Sequence, residues 1–144
     1  MDLSSVYTEI IMEHNQAKHN KHQLTATTHK ERGHNPSCGD DITLALTVED
    51  NIIIDAAYDG MGCAISQAST SMMIDLVKGK TVEEAREKVS TFIRLIKGEV
   101  NPDDALEALE DVVVLSNIKN MPARVKCAVL AWHTLDEALN NPSE

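Results

Sequence analysis

The stretch ITLALTVEDNIIIDAAYD, residues 42–59, contains the two clearest strand patterns of the sequence. In its first half the larger apolar side chains alternate with small or polar ones, with Ile42, Leu44, Leu46 and Val48 on one face and Thr43, Ala45, Thr47 and Glu49 on the other. A period of two is typical of a strand that buries one face. Glu49, Asp50 and Asn51 then predict a turn, and residues 52–59 predict a second strand with Ile54, Ala56 and Tyr58 on one face and Asp55 and Asp59 on the other. Together the two strands predict a β-hairpin.

Helical spacing of apolar residues predicts helices on both sides of the hairpin. Five helices are expected. The first ends near Asn15, the second has Cys63 at its N-terminus, and the third opens with a capping box at Thr81 and Glu84. The fourth is short and starts at Asn101-Pro102, and the last follows Met121-Pro122 and has Cys127 in its early turns. Residues 112–115 are too few to classify. A third strand is expected within Leu24–His34, where Leu24–Thr28 has the better strand composition. His34 is expected to be a loop or surface residue.

The length and charge of the chain limit its class. A chain of 144 residues can bury a core without disulfides, so we expect one domain over residues 1–144. The formal net charge of -10 and the scarcity of aromatic residues argue against nucleic acid as a partner. No apolar run approaches the roughly 20 residues that a membrane span needs, and no basic leader opens the chain. We therefore expect a cytoplasmic protein with no membrane partner.

Three cysteines and one aspartate predict a metal site. Cys38 and Asp40 flank Gly39 in a loop before the first strand of the hairpin, so a thiolate and a carboxylate can face one small cation. The hairpin returns the chain to the same edge at Cys63, where a helix N-terminus favours the thiolate. Cys127 can join them only through tertiary packing. Three sulfurs and one oxygen suit tetrahedral zinc, and iron–sulfur ligation is the alternative.

Buried cysteines are also common as ordinary core residues. The glycines beside Cys38 and Cys63, at the boundaries of predicted elements, weigh against that interpretation, because a cysteine that only packs has little need of them. We therefore favour a metal site.

Three motifs in this order, residues 35–40 (NPSCGD), 60–66 (GMGCAIS) and 123–128 (ARVKCA), closely resemble those of the IscU-like (NifU N-terminal domain-like) family of iron–sulfur cluster assembly proteins. Within that family the chain looks like the SufU type. Lys126 stands where the scaffold branch has a histidine, residues 120–124 (NMPAR) replace that branch's chaperone motif, and the stretch from Gly98 to Ser116 resembles a SufU-type insertion.

The resemblance implies an α+β fold, with a small antiparallel three-stranded sheet and helices packed on one face. It implies that Cys38, Asp40, Cys63 and Cys127 bind zinc and that Cys38 accepts sulfur from a cysteine desulfurase, with Arg124 stabilising the freed thiolate or persulfide. Other iron–sulfur assembly components are possible further partners. Two alternatives stay open: a scaffold that assembles an iron–sulfur cluster on the three cysteines, and an adaptor with a purely structural zinc site.

Overall fold

The computed structural model describes residues 9–13, 20–24, 26–35, 39–118 and 121–140. Its sheet has three strands: β1 (His29–Asn35), β2 (Asp40–Glu49) and β3 (Ile52–Met61). They pair antiparallel in the order β1-β2-β3. The predicted hairpin and the predicted α+β class are both confirmed.

A two-residue turn joins β2 and β3. Asp50 and Asn51 both have positive φ, 51° and 67°. Such a backbone matches the right-handed twist of the flanking strands, and Asp and Asn tolerate it better than most residues. Asp50 and Asn51, two of the residues that predicted the turn, therefore also explain its geometry.

The prediction for the faces of β3 is wrong at its start. Ala56 and Tyr58 are buried as expected, but Ile54 is 47% exposed, whereas Ile53 is fully buried. The register shifts between Thr47 and Val48, which pair with Asp55 and Ile53 and leave Ile54 as the extra residue of a β-bulge. A bulge moves the alternation by one residue, so Ile53 turns to the core in place of Ile54.

The third strand lies in the polar half of the expected region. Leu24–Thr28 contains no strand among its described residues, whereas His29–Asn35 pairs with β2 along its whole length. A strand at the edge of a sheet tolerates this polarity because one of its faces is open to solvent. Gly33, the one buried residue of β1, packs against Thr134, which leaves no room for a Cβ.

Helices cover one face of the sheet, as expected. The helices are α1 (described over residues 9–13), α2 (Ala64–Val77), α3 (Val82–Ile96), α4 (Pro102–Leu109) and α5 (Pro122–Asn140). Helices α2 and α5 make most of the helix contacts with the strands, and α3 and α4 pack mainly on other helical segments. The capping box of Thr81 and Glu84 is present, and the Asn101 side chain caps α4. Residues 112–115 fall in a 3₁₀ helix, Glu110–Ile118. The predicted start and end of the first helix lie outside the described residues.

The core joins the helices to the hairpin. Ile42, Leu44 and Leu46 of β2 are fully buried, and the ring of Phe92 on α3 stacks on that of Trp132 on α5 at 4.2 Å between centroids. Helix α5 packs against α2 and against β1 and β2. The part of the chain that the structure describes contains no helix both long and apolar enough to cross a membrane.

Candidate metal centre

Asp40, Cys63 and Cys127 come together at one end of the sheet. Each residue offers one donor atom, a carboxylate oxygen or a Sγ, and the three atoms all lie within 4.8 Å of one another. Asp40 is fully buried, Cys127 is 6% exposed and Cys63 is partly exposed. Residues separated by up to 87 positions in the sequence thus meet at one point that solvent reaches from the side of Cys63.

The alternation of β2 decides which of two adjacent aspartates joins the cysteines. Asp40 is in phase with the buried Ile42 and Leu44, so its side chain points into the protein, whereas Asp41 points to the open face of the sheet. There Arg32 donates two hydrogen bonds to Asp41, from Nε to Oδ1 at 2.8 Å and from Nη2 to Oδ2 at 2.6 Å. These hydrogen bonds hold the pKa of Asp41 below its ordinary value.

A pocket of about 440 Å³ lies on this open face. Arg32 and Asp41 line it together with Lys30 and Asp59, and alanines form part of its lining. None of the three clustered donor residues lines it, so this pocket and the donor cluster lie on different faces of the sheet.

The Asp40 carboxylate is held by one oxygen only. Oδ1 accepts a hydrogen bond from the backbone N–H of Cys63 at 2.9 Å. Oδ2 is buried and has no hydrogen-bond partner. Burying a carboxylate oxygen without a partner is costly, so such an atom is expected where a cation completes the arrangement.

Cys63 is the N-cap of α2. Its Sγ accepts a hydrogen bond from the backbone N–H of Ser66 at 3.4 Å, which satisfies one of the donors that every helix N-terminus leaves open. Gly62, the residue before it, fits tightly: a Cβ at that position would lie 2.8 Å from Asp40 Oδ1 and 3.2 Å from Ser66 Oγ. The absence of a side chain at Gly62 thus lets the carboxylate reach the helix N-terminus.

Cys127 is positioned by the contact between α2 and α5. Ser69 Oγ of α2 donates a hydrogen bond to the carbonyl of Ala128 at 2.7 Å and accepts one from Trp132 Nε1 at 3.0 Å. Both bonds are buried and join the helix that begins at Cys63 to the helix that carries Cys127. The distance between the two thiols therefore depends on this hydrogen-bonded pair of helices.

The other predicted site residues have different positions. Arg124 is exposed on the first turn of α5, three residues before Cys127, and forms no ion pair with another described residue. Lys126 is exposed, and so is His34, which lies in β1 rather than in a loop. Cys38 lies outside the described residues, two positions before Asp40 in the sequence.

The donor set fits a thiophilic divalent cation. Two thiols and a carboxylate oxygen converge, and Oδ2 of the Asp40 carboxylate has no hydrogen-bond partner. Cys38 is close enough in the sequence to supply a fourth donor. Such sets suit tetrahedral zinc, and thiolates also hold iron–sulfur clusters. The structure thus supports a metal site at these residues.

The sequence did not single out Ser66 as part of this centre. It is fully buried beside Cys63 and Gly62, and its spacing of three from Cys63 was the available signal, because residues three apart on a helix are neighbours. The pairing of Arg32 with Asp41 was also missed. It depends on the register between β1 and β2, which the polar sequence of β1 leaves open.

The sequence model of the family described as "NifU-like N terminal domain" matches residues 6–143. An iron–sulfur cluster assembly scaffold protein IscU from Thermotoga maritima is 44% identical, with 99% of each chain covered. The zinc-dependent sulfurtransferase SufU of Bacillus subtilis is 36% identical over 96% of this chain and 92% of its own.

A crystal structure assigned to an iron–sulfur cluster assembly scaffold protein for the SUF system, from Fervidobacterium islandicum, has the same fold. Its TM-score is 0.87 at 36% identity, and the match covers 94% of this chain and 97% of the other. The sequence motifs, the three-stranded sheet and these relatives agree. The chain belongs to the NifU-like N-terminal domain family, the family of the iron–sulfur cluster assembly proteins IscU and SufU.

Proposed function

We propose that this protein is a zinc-dependent sulfur acceptor of iron–sulfur cluster assembly, which takes persulfide sulfur from a cysteine desulfurase onto Cys38. The observation that carries the proposal is the buried donor set of Asp40, Cys63 and Cys127, with one carboxylate oxygen that no protein group satisfies. The relative named as a zinc-dependent sulfurtransferase supports the choice of metal and of chemistry.

Asp40, Cys63 and Cys127 would hold the zinc, and Cys38 would be the fourth ligand. Bound zinc supplies a Lewis acid that keeps its thiol ligands deprotonated at neutral pH. Three thiolates and a carboxylate around a divalent ion leave a formal charge of about -2. The positive charge of Arg124, one helical turn before Cys127, would offset part of it.

The proposed transfer is a thiol–disulfide exchange. The Cys38 thiolate attacks the terminal sulfur of a persulfide on the desulfurase; the S–S bond of that persulfide breaks, and the desulfurase cysteine leaves as a thiolate. A persulfide on Cys38 results, with no net oxidation or reduction. Arg124 is suited to stabilise the anionic sulfur because its guanidinium is exposed and forms no ion pair with another described residue.

A scaffold that assembles an iron–sulfur cluster is the second candidate. The 44% identity to a protein named as a scaffold favours it, and the same cysteines would then bind iron. Lys126 beside Cys127 argues for the sulfur acceptor, since the scaffold branch of the family has a histidine at that position.

Metal content and alkylation kinetics test the proposal. The wild type is compared with Cys38→Ala, Asp40→Asn, Cys63→Ala and Cys127→Ala, and Asp41→Asn serves as matched control because its carboxylate lies on the opposite face and contacts Arg32. We expect one zinc per chain in the wild type and in the control and a loss of zinc in the other variants. Cys38 should become the most reactive thiol when a desulfurase and its substrate are added.

Two results would contradict the proposal. Iron and acid-labile sulfide in place of zinc would establish the scaffold candidate. A zinc site whose four ligands stay unreactive in the presence of every desulfurase persulfide tested would make the site structural.

A further inference from the structure

Two buried polar atoms at the metal centre have no hydrogen-bond partner. They are Asp40 Oδ2 and Ser66 Oγ, and across the described ranges no other buried side-chain nitrogen or oxygen is in this state. Both residues are fully buried. A folded protein rarely leaves such groups unsatisfied, and their occurrence at one place points to a bound state in which both are used.

Ser66 already contacts the centre through its backbone. It lies in the first turn of α2, and its N–H donates to Cys63 Sγ, while its carbonyl accepts from Thr70 Oγ1 at 2.7 Å. Its Oγ borders the space above Gly62, at 3.2 Å from the position that a Cβ would occupy; Asp40 Oδ1 is 2.8 Å from the same position. The hydroxyl and the carboxylate therefore both border the space that a side chain at Gly62 would fill.

We propose that Ser66 is a positioning residue for Asp40: in the metal-loaded protein its hydroxyl donates a hydrogen bond to the Asp40 carboxylate, directly or through one water above Gly62. Oδ1 would then accept from both Cys63 N–H and Ser66 Oγ, which fixes the plane of the carboxylate and leaves Oδ2 for the metal. Groups that form hydrogen bonds with a metal-binding side chain orient it and raise the affinity of the site for the metal. This inference rests on the metal site of the proposed function.

A purely structural role for Ser66 makes the opposite prediction. If the serine is present only because the helix start has no room for more than a small side chain, then alanine replaces it without cost. Removal of a buried hydroxyl that has no partner is neutral or favourable for the metal-free fold. Zinc affinity would then be unchanged.

The test measures the zinc dissociation constant by competition with a chelator for the wild type, Ser66→Ala and Ser71→Ala. Ser71 is the matched control, a serine on the same helix that is 2% exposed and whose hydroxyl accepts from Asn20, away from the cysteines. We expect zinc binding weakened roughly 10- to 100-fold in Ser66→Ala and unchanged in Ser71→Ala. The cobalt(II)-substituted protein should show a shifted absorption spectrum only in Ser66→Ala, and the metal-free Ser66→Ala should unfold at the wild-type temperature or above it.

Ser66→Ala with wild-type zinc affinity and an unchanged cobalt spectrum would overturn this role while leaving the proposed function intact. Equal losses in Ser66→Ala and Ser71→Ala would also overturn it, because they would mark a general effect on α2. A wild type that binds no zinc would instead refute the proposed function, and this inference with it.

Discussion

Gly62→Ala should damage the metal centre without damaging the fold. Gly62 does not have a positive φ, so alanine can adopt its backbone conformation. The added methyl group, however, would lie 2.8 Å from Asp40 Oδ1 and 3.2 Å from Ser66 Oγ, and real Cβ atoms essentially never approach another heavy atom to less than 3.0 Å. The buried carboxylate must therefore move, and we expect the movement to weaken or break the hydrogen bond from Cys63 N–H.

The size of the effect follows from that hydrogen bond. A hydrogen bond to a charged group contributes about 1.5–3 kcal/mol, and each 1.4 kcal/mol is about tenfold in affinity. We therefore expect Gly62→Ala to weaken zinc binding roughly 10- to 100-fold. In the metal-free protein, the reduced entropy of the unfolded chain offsets part of the strain, by about 0.4–1 kcal/mol.

Gly98→Ala is the matched control. Gly98 follows the C-cap of α3 at φ 79°, and nothing lies within 4 Å of where its Cβ would be. Alanine in that backbone conformation costs about 1–2 kcal/mol of folding stability, but the metal centre is untouched. Zinc competition and denaturant titration should therefore show weakened zinc binding in Gly62→Ala and reduced folding stability with unchanged zinc binding in Gly98→Ala. A Gly62→Ala protein that binds zinc like the wild type would show that the contact between Gly62 and the Asp40 carboxylate does not affect the metal centre.

Three further predictions concern the framework around the centre. Ser69→Ala leaves the buried indole N–H of Trp132 without its acceptor and should lower the free energy of unfolding by about 1–3 kcal/mol in a urea titration; no change would show that the α2–α5 hydrogen bonds contribute nothing. Thr81→Ala removes the capping box of α3 and should cost about 1 kcal/mol, measured by thermal unfolding, whereas an unchanged melting temperature would contradict it. Burial raises the pKa of Tyr58 from 10.0 to about 12, so its contribution to stability is complete below pH 10 and is lost as the pH rises towards 12. In Tyr7→Phe, where Tyr58 is the remaining tyrosine, phenolate absorbance should therefore appear only above pH 10 and together with unfolding; ionisation near pH 10 in the folded protein would be the opposite result.

Local patterns predicted the hairpin and most helix boundaries because each is set by neighbours in the sequence. The alternation from Ile42 to Leu46, the capping box at Thr81 and the N-cap Asn101 all act over a few residues. Strand β1 and the bulge at Ile54 were not predictable in this way. The first is a polar edge strand held by its partner β2, and the second depends on the register between two strands.

The convergence of Asp40, Cys63 and Cys127 was anticipated from residue chemistry and from the family motifs. The structure adds the reason that Asp40 rather than Asp41 meets the cysteines, namely the phase of β2. The sequence could have predicted this choice, because Asp40 belongs to the same alternating set of residues as Ile42 and Leu44. The position of the Ser66 hydroxyl could not be predicted, because it requires the start of β2, at Asp40, to approach the start of α2 across Gly62.

The most direct test of the central claim is to locate the transferred sulfur. Zinc-loaded protein is incubated with a cysteine desulfurase and cysteine, and the chain is then analysed for its metal and, by peptide mass spectrometry, for the mass of one added sulfur on each cysteine. We expect one zinc per chain and a persulfide on Cys38, absent in Cys38→Ala. No persulfide on Cys38, or iron and sulfide bound in place of zinc, would contradict it.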